Sequence, residues 1–224
     1  MGLNSINNRA VLFDLDGVVI DSEPLYQKAE IHLFRNYGVE LNEDDKKLFR
    51  GCSEDTFYKL ASENFGIQEN KEKLISEVRK YLIESLDGDL KFKEGFESLI
   101  SELSGLFKLG LVTATPGDIV NQIDSMINLS LYFEKILTGD SVKENKPHPQ
   151  PYLTMMDWLN VSPENTIIIE DSIQGVQSAV ASNARVIALS GTVDRHELTK
   201  ADIIVDNIGE ISKKMINNMM KENW

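Results

Sequence analysis

Six short apolar runs punctuate the chain, over residues 10–13, 109–113, 136–137, 166–169, 185–189 and 203–205. Several are continuous rather than alternating, the pattern of parallel strands buried on both faces. Segments with helical spacing lie between them. One covers 96–106, with Leu99, Ile100 and Leu103 on one stripe, and another covers 151–159. Strands alternating with helices predict an α/β fold: a Rossmann-like, three-layer core around a parallel sheet.

Residues 21–90 have a different texture, with no strand-like run of comparable strength. Leu25, Ala29, Leu33 and Tyr37 recur every fourth residue, and Gly38 follows as a helix end. Ser53 is expected to cap a helix carrying Phe57, Leu60, Ala61 and Phe65, with Gly66 ending it. Leu74, Ile75, Val78, Tyr81 and Leu82 make a third stripe. The expected organisation is a discontinuous core of residues 1–20 and 91–224, with an all-helical insertion over 21–90. No Gly/Ser-rich linker joins the two, so the junctions near 19–21 and 87–92 are short and are the expected hinge.

Composition narrows the function classes. The chain has 224 residues, 42% hydrophobic and 26% charged, the profile of an ordinary globular protein. Asp plus Glu outnumber Lys plus Arg by 36 to 23, a net charge of −13. That balance lacks the basic footprint of nucleic-acid binding and discourages an anionic membrane surface. The single cysteine, Cys52, excludes an internal disulfide framework and points to a reducing, cytoplasmic setting. No apolar run approaches the roughly 18 residues of a membrane span. No signal peptide is expected at the start.

The candidate chemistry gathers at strand ends. The first run closes on Asp14-Leu15-Asp16-Gly17. Residues i and i+2 of an extended segment point to one side, so Asp14 and Asp16 face one site while Leu15 faces the packing. Such a pair needs a cation or separated pKa values; taken alone, it also fits a solvated acidic strand end. Thr113 closes the second run, and Ala114 and the following turn lead into a helix start, a natural anion cradle. Lys146 follows the third run in the stiff stretch Lys-Pro-His-Pro-Gln-Pro, and Glu170-Asp171 closes the fourth. Ligands of open α/β sheets bind outside the carboxyl ends of the strands. Four strands thus deliver reactive side chains to one edge.

In this order the motifs resemble the haloacid dehalogenase superfamily of phosphoryl-transfer enzymes. The helical insertion looks like that family's α-helical cap domain. Residues 20–26 are similar to the branch holding β-phosphoglucomutase, sugar-phosphate phosphatases and phosphoglycolate phosphatase. The resemblance implies an aspartyl-phosphate mechanism, with Asp14 as nucleophile and Asp16 protonating the leaving oxygen. It implies that Thr113, the Ala114 region and Lys146 hold the phosphoryl group. It also implies Mg²⁺ held by Asp14, Asp171 and the backbone carbonyl of Asp16, with Glu170 supporting it through water. A carboxylate at position 16 argues for an oxygen leaving group and against dehalogenation, since a halide needs no proton.

Substrate choice falls to the cap. Residues 49–55 resemble the cap loop that enters the active site in this branch. Arg50 is the cationic candidate there, with a plain surface arginine as the alternative, and Gly51 allows close backbone approach. Glu54 stands where β-phosphoglucomutase carries an arginine for a second phosphate. The expected function is therefore a Mg²⁺-dependent phosphatase of a small phosphorylated metabolite, such as a sugar phosphate. A β-phosphoglucomutase-type isomerase is the first alternative, and a non-catalytic phospho-accepting or ligand-binding module the second. No nucleic-acid or membrane partner is expected. A monomer is the expected state, with a dimer as the alternative.

Overall fold

The computed structural model describes residues 8–50, 52, 54–86 and 90–221. The chain divides into two compact units, one of Met1–Asp21 with Lys91–Trp224 and one of Ser22–Leu90.

The first unit is built on a sheet of six parallel strands: β1 (Ala10–Phe13), β2 (Lys108–Val112), β3 (Lys135–Leu137), β4 (Thr166–Glu170), β5 (Arg185–Leu189) and β6 (Ile203–Val205). Their order is β3-β2-β1-β4-β5-β6. All of β1, β4 and β5 is buried, which explains their unbroken apolar runs. Along β1, Ala10 and Leu12 enter the same core cluster as Tyr152, Met155 and Ile168. Phe13 packs edge-on against Phe96 and Phe133. The sheet therefore has a core on each face. Two helices cover the first face, one at Gln150–Leu159 and one at Ile173–Ala181, and a helix at Phe96–Leu103 covers the second. The Phe96 helix stops at Leu103, three residues before its predicted end, where Gly105 takes a positive φ of 72°.

The second unit is all-helical among its described residues. In chain order its helices are α1 (Glu23–Asn36), α2 (Glu43–Lys47), α3 (Glu54–Phe65) and α4 (Lys71–Ser85). The core helices named above continue the numbering: α5 (Phe96–Leu103), α6 (Gly117–Ile127), α7 (Gln150–Leu159) and α8 (Ile173–Ala181), then α9 (Lys213–Met219). Phe34 of α1, Phe49, Phe57 and Phe65 form an aromatic cluster with centroids 5.0–6.1 Å apart. Such pairs add about 0.5–1.5 kcal/mol each beyond area burial. The stretch Glu-Asp-Asp-Lys-Lys carries no apolar stripe, so α2 had no periodic signal. It forms because Asn42 accepts the Asp44 and Asp45 N–H groups while Asp45 accepts from Asn42. Ser53, the expected cap of α3, lies outside the described residues.

The chain leaves and re-enters the first unit side by side. Asp21 N–H donates to the Lys91 carbonyl at 3.1 Å, and Lys93 N–H donates to Val19 at 2.9 Å. Those bonds keep Asp21 with the core, one residue beyond the expected boundary. No helix among the described residues is long and apolar enough to cross a membrane.

Candidate active site

The strand order reverses between β1 and β4, the neighbours whose chain connections run to opposite sides of the sheet. Such a switch point opens a crevice at the carboxyl ends. β1 leads directly into Asp14, and β4 ends in Glu170 followed by Asp171. Asp14 stays tied to the sheet, its N–H donating to Ile169 at 3.0 Å. The chain then turns sharply at Gly17, whose φ is 76°. Gly17 N–H donates to Ile20, and the N–H groups of Val19 and Ile20 both return to the Leu15 carbonyl.

Lys146 is the hub of the site. Its Nζ lies 2.6 Å from Asp14 Oδ1 and 2.6 Å from Glu170 Oε1, and it donates to the Val112 carbonyl at 2.9 Å. It also sits 5.1 Å from the centroid of the Tyr152 ring. Burial works against the ammonium, but Asp14 and Glu170 more than offset that and hold it charged above its usual range. Carboxylate oxygens of Asp14, Glu170 and Asp171 all lie within 4.8 Å of one another, and all three residues are buried.

The carboxylates differ in charge state. Burial opposes ionisation of Glu170, yet Lys146, then Tyr152 and the Ser172 N–H, hold it below its usual range. Burial pushes Asp171 up to about 7, with Glu170 adding to the shift. Burial likewise raises Asp14 well above its usual range; Lys146 pulls it down, while Glu170, Asp171 and Asp16 push it up. The pocket thus holds more carboxyl groups than one lysine can keep ionised.

The remaining predicted residues fall into two groups. Thr113 is buried beside the β2 end and its Oγ1 accepts from Thr115 N–H at 2.9 Å. Ala114 is exposed in the turn, with its carbonyl against Gly139: a Cβ on Gly139 would meet it at 2.1 Å. Asp140 accepts from Gly117 N–H at 3.1 Å, tying the start of α6 to the loop that carries Lys146. Arg50 belongs to the helical unit, where its Nε pairs with Glu23 at 3.1 Å. Glu54 is held there by Arg79 in a two-pronged pair at 2.7 and 2.8 Å. Gly51 lies outside the described residues.

A family model for haloacid dehalogenase-like hydrolases matches residues 11–189, most of the chain and every one of these strand-end motifs. The chain belongs to that family. This hydrolase is 33% identical over 217 residues to the phosphorylated carbohydrates phosphatase of Thermotoga maritima, covering 95% of this chain and 98% of the relative. Among solved structures, it is similar to a HAD hydrolase of family IA, variant 3, from Entamoeba histolytica. That match has a TM-score of 0.85 at 24% identity, over 96% of this chain and 100% of that one. A β-phosphoglucomutase from Clostridium difficile matches with a TM-score of 0.78 at 26% identity, over 95% and 97% of the two chains.

Family phosphatases typically use a divalent metal, and the residues of this hydrolase fit one. The donor set is all oxygen, as a hard dication requires. Asp16 Oδ1 is buried without a hydrogen-bond partner among the described residues. Gly17 leaves room for Asp171: a Cβ there would fall 1.8 Å from Asp171 Oδ2.

Three residues of the hydrolase's site escaped the sequence reading. Tyr152, wholly buried in α7, donates to Glu170 Oε1 at 2.7 Å. It lies in the 151–159 segment of helical spacing, where nothing in the sequence sets a hydrogen-bonded tyrosine apart from a packing one. Thr192, after β5, donates to Asp171 Oδ2. The rule that polar residues gather at carboxyl ends applies to β5 as well, but the Ser190-Gly191-Thr192 that follows it carries no charge to stand out. Thr115 donates to Asp16 Oδ2 at 2.6 Å. It is the second hydroxyl of Thr-Ala-Thr, two residues beyond the one chosen.

Proposed function

We propose that this haloacid dehalogenase-like hydrolase is a Mg²⁺-dependent phosphatase of a small phosphorylated carbohydrate, working through an aspartyl-phosphate on Asp14. The observation that carries the reading is the buried group in which Lys146 bridges Asp14 and Glu170 at 2.6 Å each, with Asp171 beside them. The similarity to the phosphorylated carbohydrates phosphatase of Thermotoga maritima supports the substrate class.

In this reading Asp14 Oδ attacks phosphorus, and Asp16 gives a proton to the leaving oxygen. Asp16 then takes a proton from the water that hydrolyses the acyl phosphate. Lys146, Thr113 and the backbone after Ala114 hold the phosphoryl oxygens, so their role is positioning and charge neutralisation. Asp14, Asp171 and the Asp16 carbonyl would hold Mg²⁺, with Glu170 supporting it through water. When bound, the ion screens phosphate charge from the attacking carboxylate. Arg50 and Gly51 are assigned to substrate selection. A cytoplasmic protein acting alone, with no nucleic-acid or membrane partner, belongs to the same proposal.

Glu54, standing where the mutase carries an arginine, favours a phosphatase over a mutase, since a carboxylate there repels a second phosphate. A panel of phosphorylated sugars and polyols, assayed for phosphate release with Mg²⁺, tests the reading. Release from at least one member supports it. Conversion of β-glucose 1-phosphate to glucose 6-phosphate without net release would replace it with the isomerase.

A further inference from the structure

The two oxygens of Asp16 stand in different surroundings. Oδ2 accepts from Thr115 Oγ1 at 2.6 Å, while Oδ1 is buried and has no partner among the described residues. Thr115 is itself 5% exposed and fixed at both ends of its backbone. Its N–H donates to Thr113 Oγ1 at 2.9 Å, and its carbonyl accepts from Gly139 N–H at 2.9 Å. The hydroxyl is therefore presented to Asp16 by a rigid turn joining the ends of β2 and β3.

We infer that Thr115 is a positioning residue for Asp16, sorting its two oxygens so that the free one exchanges the proton with the leaving group. The inference rests on the phosphatase reading above. A carboxyl oxygen that accepts from a hydroxyl serves as the carbonyl oxygen, so the acid proton sits on the other one. With Oδ2 engaged by Thr115, the acid form of Asp16 carries its proton on Oδ1. In the first step the Asp14–phosphorus bond forms, the bond from phosphorus to the ester oxygen breaks, and the Oδ1 proton passes to that oxygen. In the second step the same Oδ1, now unprotonated, takes a proton from water as water attacks phosphorus and Asp14 is released. Without the Thr115 hydroxyl the carboxyl is free to rotate about its own axis and to present either oxygen, in either protonation pattern. Proton transfer is geometry-limited, so this loss falls on the chemical step.

Leaving-group dependence separates this role from a structural one. An alkyl alkoxide needs the proton, whereas p-nitrophenolate leaves without it. The variants are Thr115→Val, which keeps shape and removes the hydroxyl, and Thr115→Ser, which restores it. The substrates are a sugar phosphate hydrolysed by the wild type and p-nitrophenyl phosphate. The expected result is a roughly tenfold or greater drop in kcat for Thr115→Val on the sugar phosphate, against less than about threefold on the aryl ester, since general acid catalysis is worth about 10²–10⁴-fold. Thr115→Ser should recover most of the loss. Equal losses on both esters, or no loss on the sugar phosphate, overturn the inference while leaving the phosphatase reading intact. Wild-type protein that releases phosphate from neither ester with Mg²⁺ overturns the phosphatase reading itself. Thr115→Ala replaces the valine variant if circular dichroism shows the latter unfolded, with the same criteria.

Discussion

Tyr152 donates its hydroxyl proton to Glu170 Oε1 at 2.7 Å, and both side chains are completely buried. The same oxygen receives Lys146 Nζ, while Oε2 takes the N–H groups of Asp171 and Ser172 and the Ser172 hydroxyl. Glu170 thus accepts five protein donors among the described residues and acts as the anchor on which Lys146 is held. Gly175 makes room for this arrangement, because a Cβ there would meet the Glu170 carboxylate at 1.9 Å.

Tyr152→Phe keeps the ring beneath Lys146 and deletes one donor to a buried anion. A hydrogen bond to a charged group is worth about 1.5–3 kcal/mol, so the variant should be less stable by about that amount. It should also lose several-fold in kcat with KM little changed, because Lys146 is less firmly placed. Calorimetric unfolding and steady-state kinetics check both.

Gly17→Ala should disable metal binding without unfolding the protein. The added methyl falls 1.8 Å from Asp171 Oδ2, and the backbone there has a φ of 76°. A non-glycine residue in that region costs about 1 kcal/mol. Displacing Asp171 removes an oxygen from the buried acidic trio. Titration calorimetry with Mg²⁺ should show affinity weakened by an order of magnitude or more relative to wild type. Unchanged affinity would remove Asp171 from the metal site.

Glu30 of α1 offers a pH test confined to the helical unit. It is 8% exposed, and burial, with Glu23 adding to it, lifts its carboxyl to about 8. The folded chain therefore keeps the proton to about pH 8, while the unfolded chain releases it near 4.5, the ordinary glutamate value. Protons are bound more tightly in the folded state, so folding is increasingly penalised as pH rises from about 4.5 to about 8. Glu30→Gln removes that penalty. Its melting temperature should match wild type at pH 4.5 and exceed it at pH 8, by an amount reflecting a few kcal/mol. Equal shifts at both pH values would contradict the assignment.

The sheet was legible because its strands are buried on both faces. Residues 10–13, 167–169 and 186–189 had to be apolar without interruption, and apolar runs mark strands. The strand-end rule then exposed Asp14, Thr113, Lys146 and Glu170, since a carboxylate or ammonium at the end of an apolar run stands out. The same reasoning could not find Tyr152, because a buried tyrosine and a buried phenylalanine look alike in a stripe. It missed Thr115 because its importance lies in one contact across 99 residues of sequence. Glu30 was hidden for the converse reason: it is polar, yet α1 buries a face wider than its Leu25, Ala29 and Leu33 stripe. The helix α2 rests on a capping box rather than on periodicity, so hydrophobic spacing passed over it.

The most direct test of the central claim is to trap the covalent intermediate. Wild-type protein is mixed with a hydrolysed sugar phosphate and Mg²⁺, quenched in acid within one turnover, and digested for mass spectrometry. The account predicts one phosphoryl group on the peptide containing Asp14, absent without Mg²⁺ and absent in Asp14→Asn, which should release no phosphate. Phosphate release at the wild-type rate by Asp14→Asn, or a trapped phosphoryl group on any other residue, would contradict it.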